Sequence, residues 1–286
     1  MIILTFCARD GIKIPQYTYY CLSSLRKYNP SEQIVFISNR DNGFGTGFRN
    51  LGIENICMSE IQSEQLSLFQ NVSNLRRHGT PNTKYPSPPE FFYRAMERIY
   101  YLHAFMAQYS VSNAIHLEND VLVYDSMKNA GMDPCCSYVT PLGDSVSTFA
   151  FCQFNLSALT RLCEFMTEVS AMNESDFMGL TGSDMFNEMS ALSYFVKTHE
   201  GTIENLPTIC NNGGYIFDPG SWGQFLGGTN NEHGAGWYGQ HHFIGRHIHA
   251  NPLLAPKMID GKPYSGDNPI FNLHIHSKNL RDFVCN

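Results

Sequence analysis

The stretch His116-Leu117-Glu118-Asn119-Asp120-Val121-Leu122-Val123-Tyr124-Asp125 sets two carboxylates and a carboxamide inside an apolar run. Asn113-Ala114-Ile115 opens that run as a buried strand, and Val121 to Tyr124 resumes it. Unpaired buried charge is costly, so folding alone does not favour Glu118 and Asp120 there. On an extended segment, residues two apart point the same way, which presents both carboxylates together. Like charges that close repel unless a proton or a cation lies between them, and losing one should then leave the metal-free fold largely intact. A hard divalent ion, Mg2+ or Mn2+, meets that need and can also take ligands from substrate phosphates. A solvated or salt-bridged pair of acids at a strand end is the alternative reading.

Outward from this stretch the chain alternates strands and helices. Residues 2–7 form a short β-branched and aromatic run, like a strand covered on both faces. Pro15 can start a helix, with Tyr19, Leu22, Leu25 and Tyr28 as its apolar face, and Asn29-Pro30 ends it. Residues 33–38 are the next strand, so the opening predicts a parallel sheet with a right-handed crossover. Residues 39–52 read as glycine-rich loop, 53–56 as a third strand and 78–89 as a proline-rich exposed loop. A long helix from Pro89 to Tyr109 carries Phe92, Met96, Ile99, Leu102 and Met106 on one face. It leads into the strand that delivers Glu118 and Asp120 at its carboxyl end, where ligands bind in open α/β sheets.

The second half is less regular. Strands are expected at 138–140 and 148–154, helices at 156–172 and 184–197, and loops through 211–251. No repeat or linker divides the chain, so 1–286 is expected to be one α/β domain with a regular part, 1–125, and an irregular part, 126–286.

The 286 residues are 43% hydrophobic and 16% charged, enough for a large core. A formal net charge of −7, with no basic block beyond Arg76-Arg77, argues against nucleic acid held on a broad basic surface. The N-terminal apolar stretch of about six residues lacks the basic leader of a signal peptide. No apolar run reaches the roughly 18 residues of a membrane-spanning helix. The nine cysteines show no C-x-x-C spacing and read as free thiols, so a cytoplasmic location is expected.

An aromatic-rich helix, an apolar strand, the triplet Glu118-Asn119-Asp120 and the run Val121 to Asp125 together resemble the D-x-D region of GT-A glycosyltransferases, with E-N-D as the variant. The start, Ile2-Ile3-Leu4-Thr5-Phe6-Cys7-Ala8-Arg9-Asp10-Gly11, looks like the first strand and nucleotide-contacting turn of that fold. Near the other end, Phe271-Asn272-Leu273-His274-Ile275-His276-Ser277-Lys278-Asn279-Leu280 resembles the carboxyl-terminal segment of glycogenin-like and galactosyltransferase-like members. There a histidine completes a metal shell and a nearby lysine binds the diphosphate. The family spacing, with a glycine between the histidine and a more distant lysine, is not kept. The matches touch both ends of the first 125 residues and the last 16; the middle matches loosely.

The resemblance implies a GT-A (Rossmann-like) fold, a mixed and mainly parallel sheet flanked by helices. Residues 1–125 would bind the donor, and 126–286 would bind the acceptor and supply a metal- and diphosphate-binding tail. The implied reaction moves a sugar from a nucleoside diphosphate sugar, UDP-sugar first and GDP-sugar second, to a hydroxyl of a glycan or glycoconjugate. Mn2+ or Mg2+ would sit on Glu118, Asp120 and either His274 or His276, with Lys278 on the diphosphate. Donor contacts are expected from Cys7, Ala8 and Arg9 in the first turn, Asn39 after the second strand, Asn119, and Arg94 on the long helix, with Arg98 as the second choice there.

Asp184, near the start of a predicted helix, could take the acceptor hydroxyl's proton in an inverting transfer, with Glu188 as its substitute. Helix capping by Ser183 or Asp184 is the plainer reading. Asp218, Trp222 and Gln224 offer the flat apolar face and polar groups that hold an acceptor sugar; a tight structural turn is the rival. His241, His242, His247 and His249 form a rival metal cluster, although no spacing fits a zinc scheme. A non-catalytic carbohydrate- or nucleotide-binding module remains open on the same fold. A sugar nucleotidyltransferase would need a glycine-rich, arginine-containing signature after the first strand, which Cys7 to Gly11 lacks. Turn-rich residues before the tail suggest that 271–286 closes over bound donor as a lid.

Overall fold

Two short apolar runs open the chain as parallel strands, β1 (Ile2–Phe6) and β2 (Ile34–Ser38), and the more polar β3 (Glu54–Cys57) pairs parallel with β2 at the sheet edge. The structure, a computed structural model, describes residues 1–7, 13–39, 45–76, 90–210, 213–229 and 233–284. The stretch 78–89, expected to be a loop, lies outside the described residues. Strand β4 (Asn113–Leu117) pairs parallel with β1 on the side away from β2, so the direction of sheet growth reverses between β1 and β4. Beyond β4 lie β7 (Val146–Asn155), β6 (Tyr138–Gly143) and β8 (Glu204–Asn205). The β4–β7 and β6–β7 pairs are antiparallel, and the order is β3-β2-β1-β4-β7-β6-β8. The α/β class and the mixed, mainly parallel sheet agree with expectation.

Strand alternation divides the core between the two sheet faces. Ile3, Val35 and Ile37 face α3 (Glu64–Val72), α4 (Phe91–Gln108), α5 (Leu156–Ser170) and α7 (Glu188–Thr198) through residues such as Phe69, Met96, Leu162 and Phe195. Ile2, Leu4, Ile34 and Phe36 face α1 (Tyr17–Tyr28) and α2 (Gly45–Asn50), packing on Leu22, Leu25 and Phe48. That second cluster also takes in Trp222 of α8 (Ser221–Gly227) and Ile244 of α9 (Phe243–Ala250). Four of these helices were not expected: α2, α3, α8 and α9. Nor was α6 (Glu174–Thr181), which buries only Phe177. Each is short, so one or two apolar contacts define it and no long periodicity shows in the sequence.

Helix α7 begins later than predicted. The Asn187 side chain accepts the Ser190 N–H at 2.8 Å and caps the helix, so Asp184 lies in the preceding loop. The opening stretch is also different in kind. Leu117 ends β4, and the Val121 N–H donates to the Glu118 carbonyl at 3.2 Å, closing a turn. The chain then leaves the main sheet as β5 (Val121–Val123) and pairs antiparallel with β12 (Asn272–His274).

That pairing places part of the expected lid in a strand: Tyr124 N–H donates to the Phe271 carbonyl at 2.9 Å and Ile275 N–H to the Asp120 carbonyl at 3.0 Å. Phe271, Leu273, Ile275 and Leu280 are fully buried. The turn-rich residues before the tail fold as a small sheet of β9 (Lys257–Ile259), β10 (Lys262–Ser265) and β11 (Asn268–Pro269). Among the described residues the cysteines are free thiols, and no helix is long and apolar enough to cross a membrane.

Candidate metal centre at the sheet switch point

Glu118 and Asp120 leave the carboxyl end of β4 at the point where the sheet reverses its order of growth, and the turn rather than strand alternation brings them together. What faces them answers the question of their burial. His274 Nε2 lies 3.1 Å from Glu118 Oε2 and 3.2 Å from Asp120 Oδ2. Lys278 Nζ donates to Asp120 Oδ2, and Arg98 Nη2 donates to Glu118 Oε1. A half-buried and a buried carboxylate are thus met by Arg98 from α4 and by His274 and Lys278 from the tail.

The ionisation states follow. Burial pushes the Glu118 carboxyl up, but the Arg98 guanidinium and the His274 ring hold it below the usual value. Burial opposes ionisation of Asp120 too, and His274 and Lys278 outweigh it, holding Asp120 well below the carboxylate range. In return, burial works to deprotonate His274 and Lys278, yet the facing Asp120 holds both above their ordinary values.

Lys278 reaches Asp120 from a backbone with φ of 63°, a left-handed conformation that favours glycine. Its N–H donates to the Ile275 carbonyl at 3.0 Å, closing a turn that returns the side chain to the cluster. A lysine kept in such a backbone points to a use for its side chain.

Glu118, Asp120 and His274 offer one ligand atom each within 4.8 Å of one another, and among the described residues no other group of three such side chains does so. His276 does not join them. Its ring packs edge-on against His274, its Nδ1 is 2.7 Å from Gln224 Nε2, and burial, with His274 and Lys278 nearby, drives it down to about 3. His241 and His242 precede α9, which carries His247 and His249, and these four form no such cluster.

Asn119 turns away from its neighbours, donating to Thr18 Oγ1 of α1 at 3.1 Å. Cys7 directly follows β1 with its thiol 3.5 Å from Met58 Sδ, so its side chain faces protein rather than the cleft. Ala8 and Arg9 lie outside the described residues, and Asn39 directly follows β2, half-buried. On α4 the order of the two arginines is reversed from expectation. Arg94 is held by Glu97 at 2.6 Å and Glu90 at 3.4 Å, and Arg98 reaches the cluster. A sequence signal existed: Arg94 has acids at i−4 and i+3 on its own helix, whereas Arg98 has none one turn away in either direction. Tyr17, whose ring centre lies 5.7 Å from Lys278 Nζ, is a neighbour of the cluster that carries no such signal.

Asp184 and Glu188 separate. Asp184 is exposed and lines a cavity of about 660 Å³ between the β6–β7 hairpin and α7. Glu188 is buried, with Oε1 at 3.8 Å from the same Arg98 nitrogen that serves Glu118. Burial raises the Glu188 carboxyl to about 7, against the partial compensation of Arg98.

Two acceptor expectations are corrected by burial. Trp222 is fully buried, its indole N–H donating to the Thr208 carbonyl at 2.9 Å, so it has no face for a sugar. Asp218 is fully buried as well, and both its oxygens are filled by backbone N–H groups. Gln224 is spent on His276. Asp218 and Gln224 hold the tail, and Trp222 fills the core, instead of lining a cleft.

The Glu188 charge has a stability consequence. An unfolded glutamate titrates near 4.5, so between there and about 7 the folded state holds the extra proton. Stability therefore falls as pH rises through that window, by up to about 3 kcal/mol, and is flat above it. In EDTA, Glu188→Gln should raise the melting temperature at pH 8, with the gain shrinking toward pH 4.5. A gain of equal size at both pH values would show that charge is not its cause.

No protein-family model matches the chain, and no curated protein matches it in sequence. Among solved structures it is similar to mouse xyloside xylosyltransferase 1 in its apo form, at 13% identity over 72% of this chain and 84% of that one, with a TM-score of 0.45. It is similar to the PaToxG glycosyltransferase at 11% identity, over 69% and 68% of the two chains, with a TM-score of 0.44. A third is the galactosyltransferase LgtC in complex with donor and acceptor sugar analogues, at 14% identity, 72% and 73% coverage and a TM-score of 0.38.

Proposed function

We propose that this chain transfers a sugar from a nucleoside diphosphate sugar to a hydroxyl of a glycan or glycoconjugate, with Mn2+ or Mg2+ held by Glu118, Asp120 and His274. The observation that carries the reading is the convergence of these three side chains at the sheet's switch point, 154 residues apart in sequence between Asp120 and His274 (274 − 120). Two carboxylate oxygens and one imidazole nitrogen suit a hard to borderline divalent ion, and three protein ligands leave positions for phosphate oxygens. When bound, the ion would offset charge building on the leaving diphosphate.

The chain's own groups complete the chemistry. Lys278 stands beside Asp120 as a second positive charge for the diphosphate, and Arg98 keeps Glu118 ionised and oriented. Residues 1–125, with Asn39 and the first turn, would hold the donor; 126–286 would hold the acceptor. Glu188 is the base we favour over Asp184. It lies against the Arg98–Glu118 pair, and a carboxyl near 7 is well matched to accept a hydroxyl proton at neutral pH. Asp184 would act from the acceptor side, in the neighbouring cavity. With Glu188 taking the proton as the acceptor hydroxyl attacks the anomeric carbon directly and the diphosphate leaves, the transfer would be inverting, which the anomeric configuration of the product tests by NMR.

The deciding experiment is a thermal-shift screen of UDP- and GDP-sugars with and without Mn2+, followed by assay of free nucleotide. The expected result is stabilisation by a UDP-sugar only when Mn2+ is present, with slow release of UDP. No shift with any nucleotide sugar would sink the reading. A shift without release would leave a binding module on the same fold.

A further inference from the structure

His274 is the one candidate ligand that comes from outside the Glu118–Asp120 turn, so its backbone must be set independently. Successive N–H groups of a strand point in opposite directions. The Ile275 N–H goes to the Asp120 carbonyl at 3.0 Å, on the β5 side. The His274 N–H goes the other way, to Asp218 Oδ2 at 2.9 Å. Asp218 and the acidic turn therefore bracket the peptide that carries the His274 side chain.

Asp218 is itself held without freedom. Its Oδ1 accepts the N–H groups of Gly220 and Trp222 at 2.8 and 2.9 Å, and Oδ2 also accepts that of Gly223 at 2.8 Å. Its backbone is paired with the buried Asn272 side chain, N–H to Oδ1 at 3.1 Å and carbonyl from Nδ2 at 3.0 Å. Close packing adds a second, independent restraint. A Cβ on Gly223 would lie 2.1 Å from the His274 carbonyl oxygen, and one on Gly220 3.0 Å from His276 Nε2. At Gly223 the segment thus lies against the His274 backbone with no room for a side chain.

We propose that Asp218 is a positioning residue for the metal centre: through the His274 N–H it aims Nε2 at Glu118 and Asp120, and so sets the affinity for a divalent cation. The proposal rests on the metal-centre reading given above. Outer-shell groups that fix a ligand commonly control affinity by roughly 10- to 100-fold. Asp218→Asn keeps the shape but turns an amide toward backbone donors, so one pair of N–H groups loses its acceptor.

The test is Mn2+ titration followed by EPR of the free ion, on the full chain without nucleotide. Wild type, Asp218→Asn, Asn272→Ala and His274→Ala are compared, with thermal melts alongside. Asn272→Ala loosens the same segment without touching the His274 N–H. The expected result is a fall in Mn2+ affinity of roughly 10- to 100-fold for Asp218→Asn, approaching His274→Ala, with a clearly smaller fall for Asn272→Ala, which leaves the His274 N–H bond in place. Histidine side-chain 15N spectra should move at His274 further in Asp218→Asn than in Asn272→Ala. Equal Mn2+ affinity in wild type and Asp218→Asn overturns the proposal, as does a loss in both variants that simply follows melting temperature. Failure of Asp218→Asn to fold also overturns it, because the residue would then serve the fold. Absence of Mn2+ binding by wild type is a different outcome: it removes the metal reading, and this proposal with it.

Discussion

Asp120→Ala should abolish divalent-cation binding and sugar transfer, and it should also lower the melting temperature of the protein in EDTA. Binding fails because the substitution removes one of three ligands, and the ligand that faces both His274 and Lys278. The stability effect is opposite to what repulsion between two bare carboxylates predicts. Asp120 is buried among cations that hold it well below the usual carboxylate range, so it is the partner those cations need. Without it, Lys278 loses the carboxylate it donates to, and the His274 ring loses the group that chiefly holds its proton against burial. The Asp120 side chain is 4% exposed but that of Lys278 is 34% exposed, so the loss is smaller than the roughly 3–5 kcal/mol of a fully buried pair and shows as a fall of several degrees. Asp120→Asn should fall between, since it keeps the shape and one acceptor. Calorimetric titration with Mn2+ and melts in EDTA check both halves. Unchanged Mn2+ affinity in Asp120→Ala would end the metal assignment, whereas an unchanged melt would mean that the cations are solvated.

Different parts of this site were legible to different degrees, for physical reasons. Glu118 and Asp120 declared themselves because charge inside an apolar run needs a partner. The geometry behind them did not, since a turn and a strand both bring residues two apart to one side when the strands flanking them diverge. Periodicity marks a helix or a strand, and the long α4 and the strands β1, β2 and β4 were found where it was strong. It says nothing about which tail segment returns to β5. That pairing links residues about 150 positions apart, and only the resemblance of residues 271–280 pointed to it. Asp218 and Trp222 were misread because residue type was taken for exposure. An aspartate and a tryptophan in a glycine-rich stretch suggest a sugar cleft, yet the same glycines let backbone N–H groups close on Asp218 and bury the indole against Thr208. Which of His274 and His276 faces the acids was decided by the turn that follows β12, where strand alternation no longer holds.

Removing residues 268–286 should prevent folding rather than uncover an open donor site. The segment supplies Ile270, Phe271, Leu273, Ile275 and Leu280 to the core cluster shared with β5 and α1, all of them buried. At about 1.5–3 kcal/mol for each fully buried side chain, the five contribute roughly 7–15 kcal/mol. The net stability of a folded protein is about 5–15 kcal/mol, so the deletion removes an amount comparable to the whole. Two further losses act in the same direction. Strand β5 has left the main sheet and would lose β12, the only strand it pairs with among the described residues, exposing its ladder groups. Glu118 and Asp120 would lose His274 and Lys278 together, leaving Arg98 as the one cation in contact among the described residues. The truncated chain should show no cooperative melt and little amide dispersion, and in the full chain the amides of 271–275 should exchange slowly without nucleotide or metal. A cooperative melt of the truncated chain within a few degrees of the full one would contradict this, and would restore the tail as a segment that closes only over bound donor.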